Sequence, residues 1–226
     1  MKKALITIGA IVVGLLAFLV VYNLMVEQSA RPEKPVLYLY APEAQRVTVT
    51  LNAQGTLDTV YPLPDNQSAT DRGVSASWTV DAAPDGTLTD REGRAYPSLF
   101  WDGQMALDTP QEGFVVARED AVPFLEAKLA QLGLNDKEAA DFITYWAPRI
   151  RANEYTFVSF DASSYERYAS YTFTNEAGGE FAPDTFIRVF MTIRKADANT
   201  VVTPQTFGPT PQRVGFTAVE WGGVEQ

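Results

Sequence analysis

The chain has 226 residues, 46% of them apolar, with 18 basic and 28 acidic side chains and neither histidine nor cysteine. The two missing types remove the usual neutral-pH general base, the thiol nucleophile, the nitrogen and sulfur ligands of zinc, disulfides and lipoprotein acylation. The formal charge is −10, and −12 once Lys2 and Lys3 are set aside, which repels phosphate backbones and excludes nucleic acid as a partner.

Met1, Lys2 and Lys3 precede an apolar run from Ala4 to Tyr22 that continues past Asn23 to Val26. At about 1.5 Å of rise per residue this covers roughly 30 Å, the thickness of a bilayer's hydrocarbon core, whereas cleaved signal peptides carry an apolar stretch of about 7 to 15 residues. The expectation is a single transmembrane signal-anchor helix over 4–26, a cytoplasmic tip at 1–3 and an extracytoplasmic domain beyond. The alternative is cleavage near Ser29 or Ala30, although Gln28 then occupies a position where a small residue is wanted. Gly9 and Gly14 do not form G-x-x-x-G, so the helix predicts no dimer and oligomeric state stays open.

Glu27 to Pro35 carries Pro32 and Pro35 and reads as a short extended stalk, with one domain over 36–226. Strands are predicted at Val36 to Tyr40, Arg46 to Leu51, Ala76 to Val80, Tyr96 to Trp101, Gly113 to Val116, Tyr155 to Phe160, Phe186 to Ile193 and Val214 to Val219. Between them, Phe124, Leu125, Leu129 and Leu132 recur at helical spacing over Asp120 to Leu132, with Gly133 as a left-handed cap. Asn135 then caps a second helix, with Glu138 completing a capping box, an apolar stripe of Ala139, Phe142, Ile143 and Trp146, and a stop at Pro148. Helices apolar on one face must pack on something, and the strands supply the surface. The predicted class is α+β, a mainly antiparallel β domain with a helical hairpin packed on it; Thr203 to Pro211, with three prolines, reads as a loop.

No P-loop, dinucleotide-binding glycine pattern, S-x-x-K or G-x-S-x-G is present. Paired carboxylates remain as catalytic currency, and Asp102 is the weak candidate, following Leu99, Phe100 and Trp101 and preceding Gly103. Asp-Gly is also a turn dipeptide, and a turn is the favoured reading. Glu119 and Asp120 read as helix-capping acids. Asp85, Asp90 and Glu92 have the oxygens for calcium but fail the EF-hand spacing, and Asp85-Gly86 reads as a hairpin turn, so no metal residues and no cofactor are predicted.

Aromatic faces offer another kind of site. Trp101, Tyr145 and Trp146 are candidates for stacking on a sugar or anchoring a partner, with core packing as the simpler role; Tyr155, Tyr165, Tyr168 and Tyr171 form a tyrosine-rich span in which Tyr165 to Tyr171 alternates too loosely to be all core. Arg188 stands between Phe186 and Phe190 on one face of a strand whose other face is wholly apolar. It must reach water or pair with an acid, for which Asp102 and Asp141 are the expected partners. The candidate binding set is thus Trp101, Asp102, Tyr145, Trp146 and Arg188.

The blocks KPVLYLYAP (Lys34 to Pro42), YPSLFWDG (Tyr96 to Gly103), GFVVAREDAVPFLEAKLAQLGL (Gly113 to Leu134), NDKEAADFITYWAP (Asn135 to Pro148) and DTFIRVFM (Asp184 to Met191) stand in this order. In them the chain resembles a family of uncharacterised, mostly bacterial exported or membrane-anchored proteins. The resemblance implies one exported domain and no activity or catalytic residue. The expected function is a membrane-anchored extracytoplasmic binding or assembly module of the cell envelope, non-catalytic, with an envelope protein or glycan as partner. The alternatives are a carboxylate-based glycoside hydrolase or transglycosylase, and a passive structural component of an envelope complex.

Overall fold

A computed structural model describes residues 29, 30 and 32–226, so the helix expected over 4–26 lies outside the described residues. In chain order the strands are β1 (Ser29–Ala30), β2 (Glu33–Tyr40), β3 (Gln45–Ala53), β4 (Thr56–Tyr61), β5 (Asn66–Thr70), β6 (Gly73–Ala82), β7 (Leu88–Thr89), β8 (Ala95–Tyr96), β9 (Leu99–Ala106) and β10 (Phe114–Ala117). Helices α1 (Ala121–Gln131) and α2 (Asp136–Ile150) follow. The chain closes with β11 (Tyr155–Phe160), the short α3 (Ala162–Glu166), β12 (Ala169–Asn175), β13 (Glu180–Phe181), β14 (Thr185–Ala196) and β15 (Thr217–Glu225).

The strands form two sheets. The first runs β1-β9-β2-β15-β14-β11-β10 with β4 also on β9; the second runs β13-β12-β3-β6-β7-β8 with β5 also on β6. Pairing is antiparallel throughout except between β14 and β15. The predominantly antiparallel α+β class expected from the sequence is therefore observed.

The first sheet is the middle of three layers. Its β2 residues Leu37 and Leu39 join Val47, Val49 and Leu51 of β3 and Trp78 of β6 in a core between the sheets. Val36 and Tyr38, pointing the other way, join Leu125 and Leu129 of α1 and Phe142, Trp146 and Ile150 of α2 in a second core. A strand covered on both faces has no polar side, so β15 is buried from Thr217 through Val224. Gly223 is required there because a Cβ would stand 2.6 Å from the Trp146 ring.

The helical hairpin follows its sequence signals closely. Asn135 Oδ1 accepts the Glu138 N–H at 2.9 Å while Glu138 Oε2 accepts the Asn135 N–H at 2.9 Å, closing the capping box. Gly133, with φ +92°, turns the chain between the helices as Leu134 N–H bonds back to Leu129 O at 3.0 Å. Two details differ. Pro148 lies within α2, which continues to Ile150, because the buried Ala147 and Ile150 hold the final turn against the sheet. Asp120 occupies the N-cap of α1 but its side chain accepts no capping hydrogen bond, so its charge alone meets the helix end.

The long connection from β14 to β15 carries no helix. It crosses the helical side of the molecule, where Gln205 hydrogen-bonds both the N–H and C=O of Phe160, and Phe207 packs 6.1 Å from the Phe114 and Phe160 rings. A bridge between Glu112 and Thr203 and the Gly113 N–H to Thr203 O bond shield the sheet near β10.

Candidate functional site

The five residues singled out from the sequence separate onto opposite faces of the first sheet. Trp101 and Arg188 face the second sheet; Asp102, Tyr145 and Trp146 belong to the helical side. A strand period of two places Trp101 and Asp102 back to back on β9.

Arg188 does not pair with Asp102 or Asp141. Its partner is Glu220, directly opposite in the β14–β15 register, with Nε and Nη2 each 2.7 Å from Glu220 Oε2. Both side chains are withdrawn from solvent, Glu220 at 1% and Arg188 at 9% exposure. Glu220 Oε1 accepts the hydroxyls of Tyr165 at 2.7 Å and Tyr171 at 2.6 Å; Trp101 Nε1 donates to Tyr171 Oη at 2.8 Å, and Arg188 Nη2 donates to Ala169 O at 3.0 Å. Burial, then the neighbouring carboxylate, pushes both tyrosines well above their usual range, while the Glu220 charge holds Arg188 protonated against the cost of desolvation. Both carboxylate oxygens are occupied, so this cluster joins the two sheets rather than presenting a reactive group.

On the helical side, Tyr145 donates to Glu33 Oε2 at 2.7 Å and Arg149 Nε reaches the same oxygen at 3.1 Å, with the Arg149 guanidinium 3.8 Å from the Tyr145 ring centre. Lys34 Nζ lies 4.9 Å from that ring. Burial and the Glu33 bond raise the Tyr145 pKa. Trp146 is fully buried against Phe142 and serves as a packing anchor. Asp102 Oδ1 is buried without a hydrogen-bond partner. The Asp102-Gly103 turn expected from the sequence is not formed: both residues lie inside β9. Gly103 is required because a Cβ there would meet Thr56 O at 1.9 Å on the neighbouring β4.

A third cluster was missed from sequence. Glu138, fully buried, receives the Tyr40 hydroxyl at 2.7 Å and Arg213 Nη1 at 2.9 Å in addition to its capping bonds. Burial and the Glu138 hydrogen bond raise the Tyr40 pKa to about 12. Beside it Tyr38 donates to Asp141 Oδ2 at 2.9 Å. The capping pattern revealed Glu138 as a helix start, but nothing local pointed to Arg213, 75 residues away. Glu220 was missed because the predicted strand ended at Val219; extending it one residue places an acid among apolar neighbours, the same signal that marked Arg188.

The open site lies elsewhere. Between the β4–β5 connection and the β7–β8 hairpin, at the edge of the second sheet, runs a groove of about 830 Å³. One wall is Tyr61-Pro62-Leu63-Pro64, where Tyr61 is 60% and Leu63 82% exposed. It is held from beneath by the buried Trp78, whose Nε1 donates to Pro62 O at 2.7 Å, and Tyr61 meets Tyr96 edge to face at 5.6 Å. The floor is β6 at Trp78 to Val80, a gap between the stretch paired with β5 and the stretch paired with β7. In that gap the Thr79 N–H donates to Asp65 Oδ2 at 2.6 Å instead of to a strand.

The opposite wall is the β7–β8 hairpin. Asp90 Oδ1 accepts the Glu92 and Arg94 N–H groups, each at 2.9 Å, and Oδ2 accepts the Tyr96 hydroxyl at 2.9 Å. The Arg94 amide, before all else, holds the Asp90 carboxyl below the usual carboxylate range. Arg91 donates to Thr79 Oγ1 at 3.2 Å and keeps its guanidinium largely exposed. Asp85, in the neighbouring turn, accepts the Thr87 N–H at 2.9 Å, so Asp85 and Asp90 each hold a turn. Two other depressions are of about 410 Å³, lined by Arg72 and by Arg167, which is paired to Asp108, and of about 730 Å³, lined by Arg46, which is paired to Asp81.

Comparison of the chain with protein-family models, with curated proteins and with solved structures returned no match.

Proposed function

We propose that the chain is a single-pass, membrane-anchored, extracytoplasmic binding module of the cell envelope that acts without catalysis. The observation that carries this reading is the groove: a rigid wall presenting exposed Tyr61 and Leu63 beside polar groups with hydrogen-bonding capacity left over. Exposed aromatic surface held in place loses little entropy on contact with a ligand.

Strand register supports the orientation. β1 begins three residues after Val26 and pairs Ser29 with Ala106, whereas Tyr61 pairs with Phe100. Six residues of strand separate these points on β9, roughly 20 Å. With an anchor over 4–26, the groove opens at the end of β9 remote from the bilayer, toward the envelope. The resemblance to exported proteins agrees with that placement.

The test is site-specific photo-crosslinking in intact cells. A crosslinker in place of Leu63 is expected to yield a discrete adduct that disappears when Tyr61→Ala is added, and one in place of Arg72 to yield none. Absence of an adduct at Leu63 overturns the reading.

One observation favours the hydrolase alternative: the buried, unpartnered Oδ1 of Asp102. Asp102 belongs to the helical side of β9 and the groove to the edge of the second sheet, so the two readings depend on different residues. Turnover of an envelope glycan that is lost in Asp102→Asn would favour this alternative.

A further inference from the structure

We infer that the groove between the β4–β5 connection and the β7–β8 hairpin binds an uncharged oligosaccharide chain, with Tyr61 as the stacking platform and Asp65, Arg91 and Thr79 as the hydroxyl-reading groups. This rests on the reading of the domain as a binding module and adds the class of ligand.

The argument begins with what the groove leaves unsatisfied. Asp65 Oδ2 is committed to the Thr79 N–H, while Oδ1 makes no hydrogen bond among the described residues. Arg91, 3.9 Å from Asp65, uses one donor of its planar fork on Thr79 Oγ1 and has others free. Because Thr79 sends its N–H into the gap, antiparallel geometry sends its C=O the same way. A carboxylate oxygen, a guanidinium and a carbonyl are thus gathered at the floor, a set that accepts from and donates to neighbouring hydroxyls on one sugar edge.

Sugar rings also carry apolar C–H faces, and the groove meets these with Tyr61 and Leu63. Of the four large apolar side chains most exposed among the described residues, these two stand on this one wall. The backbone that carries them is restrained: Pro62 and Pro64 restrict it, the Trp78 bond holds Pro62, and Asp65 ties the end of the segment to β6.

Charge selects the uncharged class. Asp65, Asp90 and Glu92 nearly balance Arg91 and Arg94 within the groove, and Arg94 is engaged with Glu92 at 2.7 Å. The strongly acidic chain opposes polyanions at longer range. A peptide strand fits less well, since the gap in β6 offers the outward N–H and C=O of Thr79 alone, and the N–H is already taken by Asp65. A flat protein partner would require about 800 Å² of contact on each side around a dry centre, whereas the floor here is polar.

The experiment uses the full-length chain in lipid nanodiscs and saturation-transfer NMR with chitotetraose, cellotetraose and maltotetraose. Transfer to at least one of them, strongest on ring C–H protons, is expected, with affinity at least about tenfold weaker in Tyr61→Ala. Arg72→Ala, far from the groove, should bind as the parent does. Tyr61 is exposed, so unchanged tryptophan fluorescence establishes that the variant is folded; Leu63→Ala repeats the test at a second exposed position. Absence of transfer from all three up to about 10 mM, or equal transfer in Tyr61→Ala and the parent, overturns the ligand assignment. If saccharides fail while the Leu63 crosslink captures a protein in a Tyr61-dependent manner, the ligand class falls and the binding-module reading stands. If both fail, neither stands.

Discussion

Arg188 and Glu220 face each other across the parallel strands β14 and β15, with Nε 2.7 Å from Oε2, in the space between the two sheets. A charge so placed depends on its partner, because water cannot replace it. Arg188→Met leaves Glu220 buried with tyrosine donors alone and is expected to cost about 3–5 kcal/mol. Arg188→Met combined with Glu220→Met should recover part of that loss. Urea unfolding followed by tryptophan fluorescence checks both, and strictly additive costs would show that the two residues do not depend on each other.

Glu138 has more partners than a helix cap needs. Asn135→Ala should lower stability by about 1 kcal/mol, the usual value of an N-cap. Glu138→Ala should cost clearly more, since it also strands Arg213 and the Tyr40 hydroxyl in partly buried positions. Unfolding of the two variants side by side is the measurement; equal losses would reduce Glu138 to its capping role.

The tyrosines set an alkaline limit. Tyr165 and Tyr171 in the inter-sheet cluster, and Tyr38, Tyr40 and Tyr145 on the helical side, are all raised above the ordinary tyrosine value near 10. A group raised on folding contributes stability that is complete below its unfolded pKa and is lost as pH rises toward the folded one. Stability should therefore hold to about pH 10 and then fall by about 1.4 kcal/mol per pH unit for each fully buried tyrosine. Melting temperatures from pH 8 to 12, with tyrosinate absorbance recorded in parallel, test this; tyrosines that ionise near 10 without unfolding would contradict it.

On β9, neighbouring residues should respond in opposite ways. Gly103→Ala is expected to be strongly destabilising, because the Thr56 carbonyl occupies the space of the new Cβ. Asp102→Asn exchanges a carboxylate with a buried, unpartnered oxygen for a neutral amide of the same shape and should leave the melting temperature unchanged or raise it. A large loss in Asp102→Asn would reveal an ionic contact for this carboxylate.

Much of the fold was legible where the signal is local. The Asn135–Glu138 capping box, the Gly133 turn and the alternation of Val47, Val49 and Leu51 each depend on residues a few positions apart. β1, in the stretch read as stalk, and β4, β5, β7, β12 and β13 were not read, since strands such as Asn66–Thr70, exposed along its whole length, carry no apolar alternation. Asp102-Gly103 was misread because the same dipeptide suits a turn and a crowded strand; the approach of β4 decides between them. Tyr165 to Tyr171 alternates too loosely to be all core, and in the structure Tyr165 is buried on the short helix α3 while Tyr168 and Tyr171 are half-buried, Tyr171 sending its hydroxyl inward from β12. A change of element between them breaks any single period.

By itself the sequence determined the chemistry open to this protein and the local form of its elements: no imidazole, no thiol, an acidic surface, a capped helical hairpin and several two-sided strands. It also showed that Arg188, embedded in an apolar strand, had either to reach water or to pair with an acid. Tertiary structure alone decided which acid. Glu220 meets Arg188 through a parallel pairing closed by a long connection, and Arg213 meets Glu138 by the same connection. The groove likewise exists only because β5 and β7 pair with different halves of β6 and leave Thr79 uncovered. Pairings of this kind arise from strand order and register, to which residues distant in sequence contribute equally, so no window along the chain contains them.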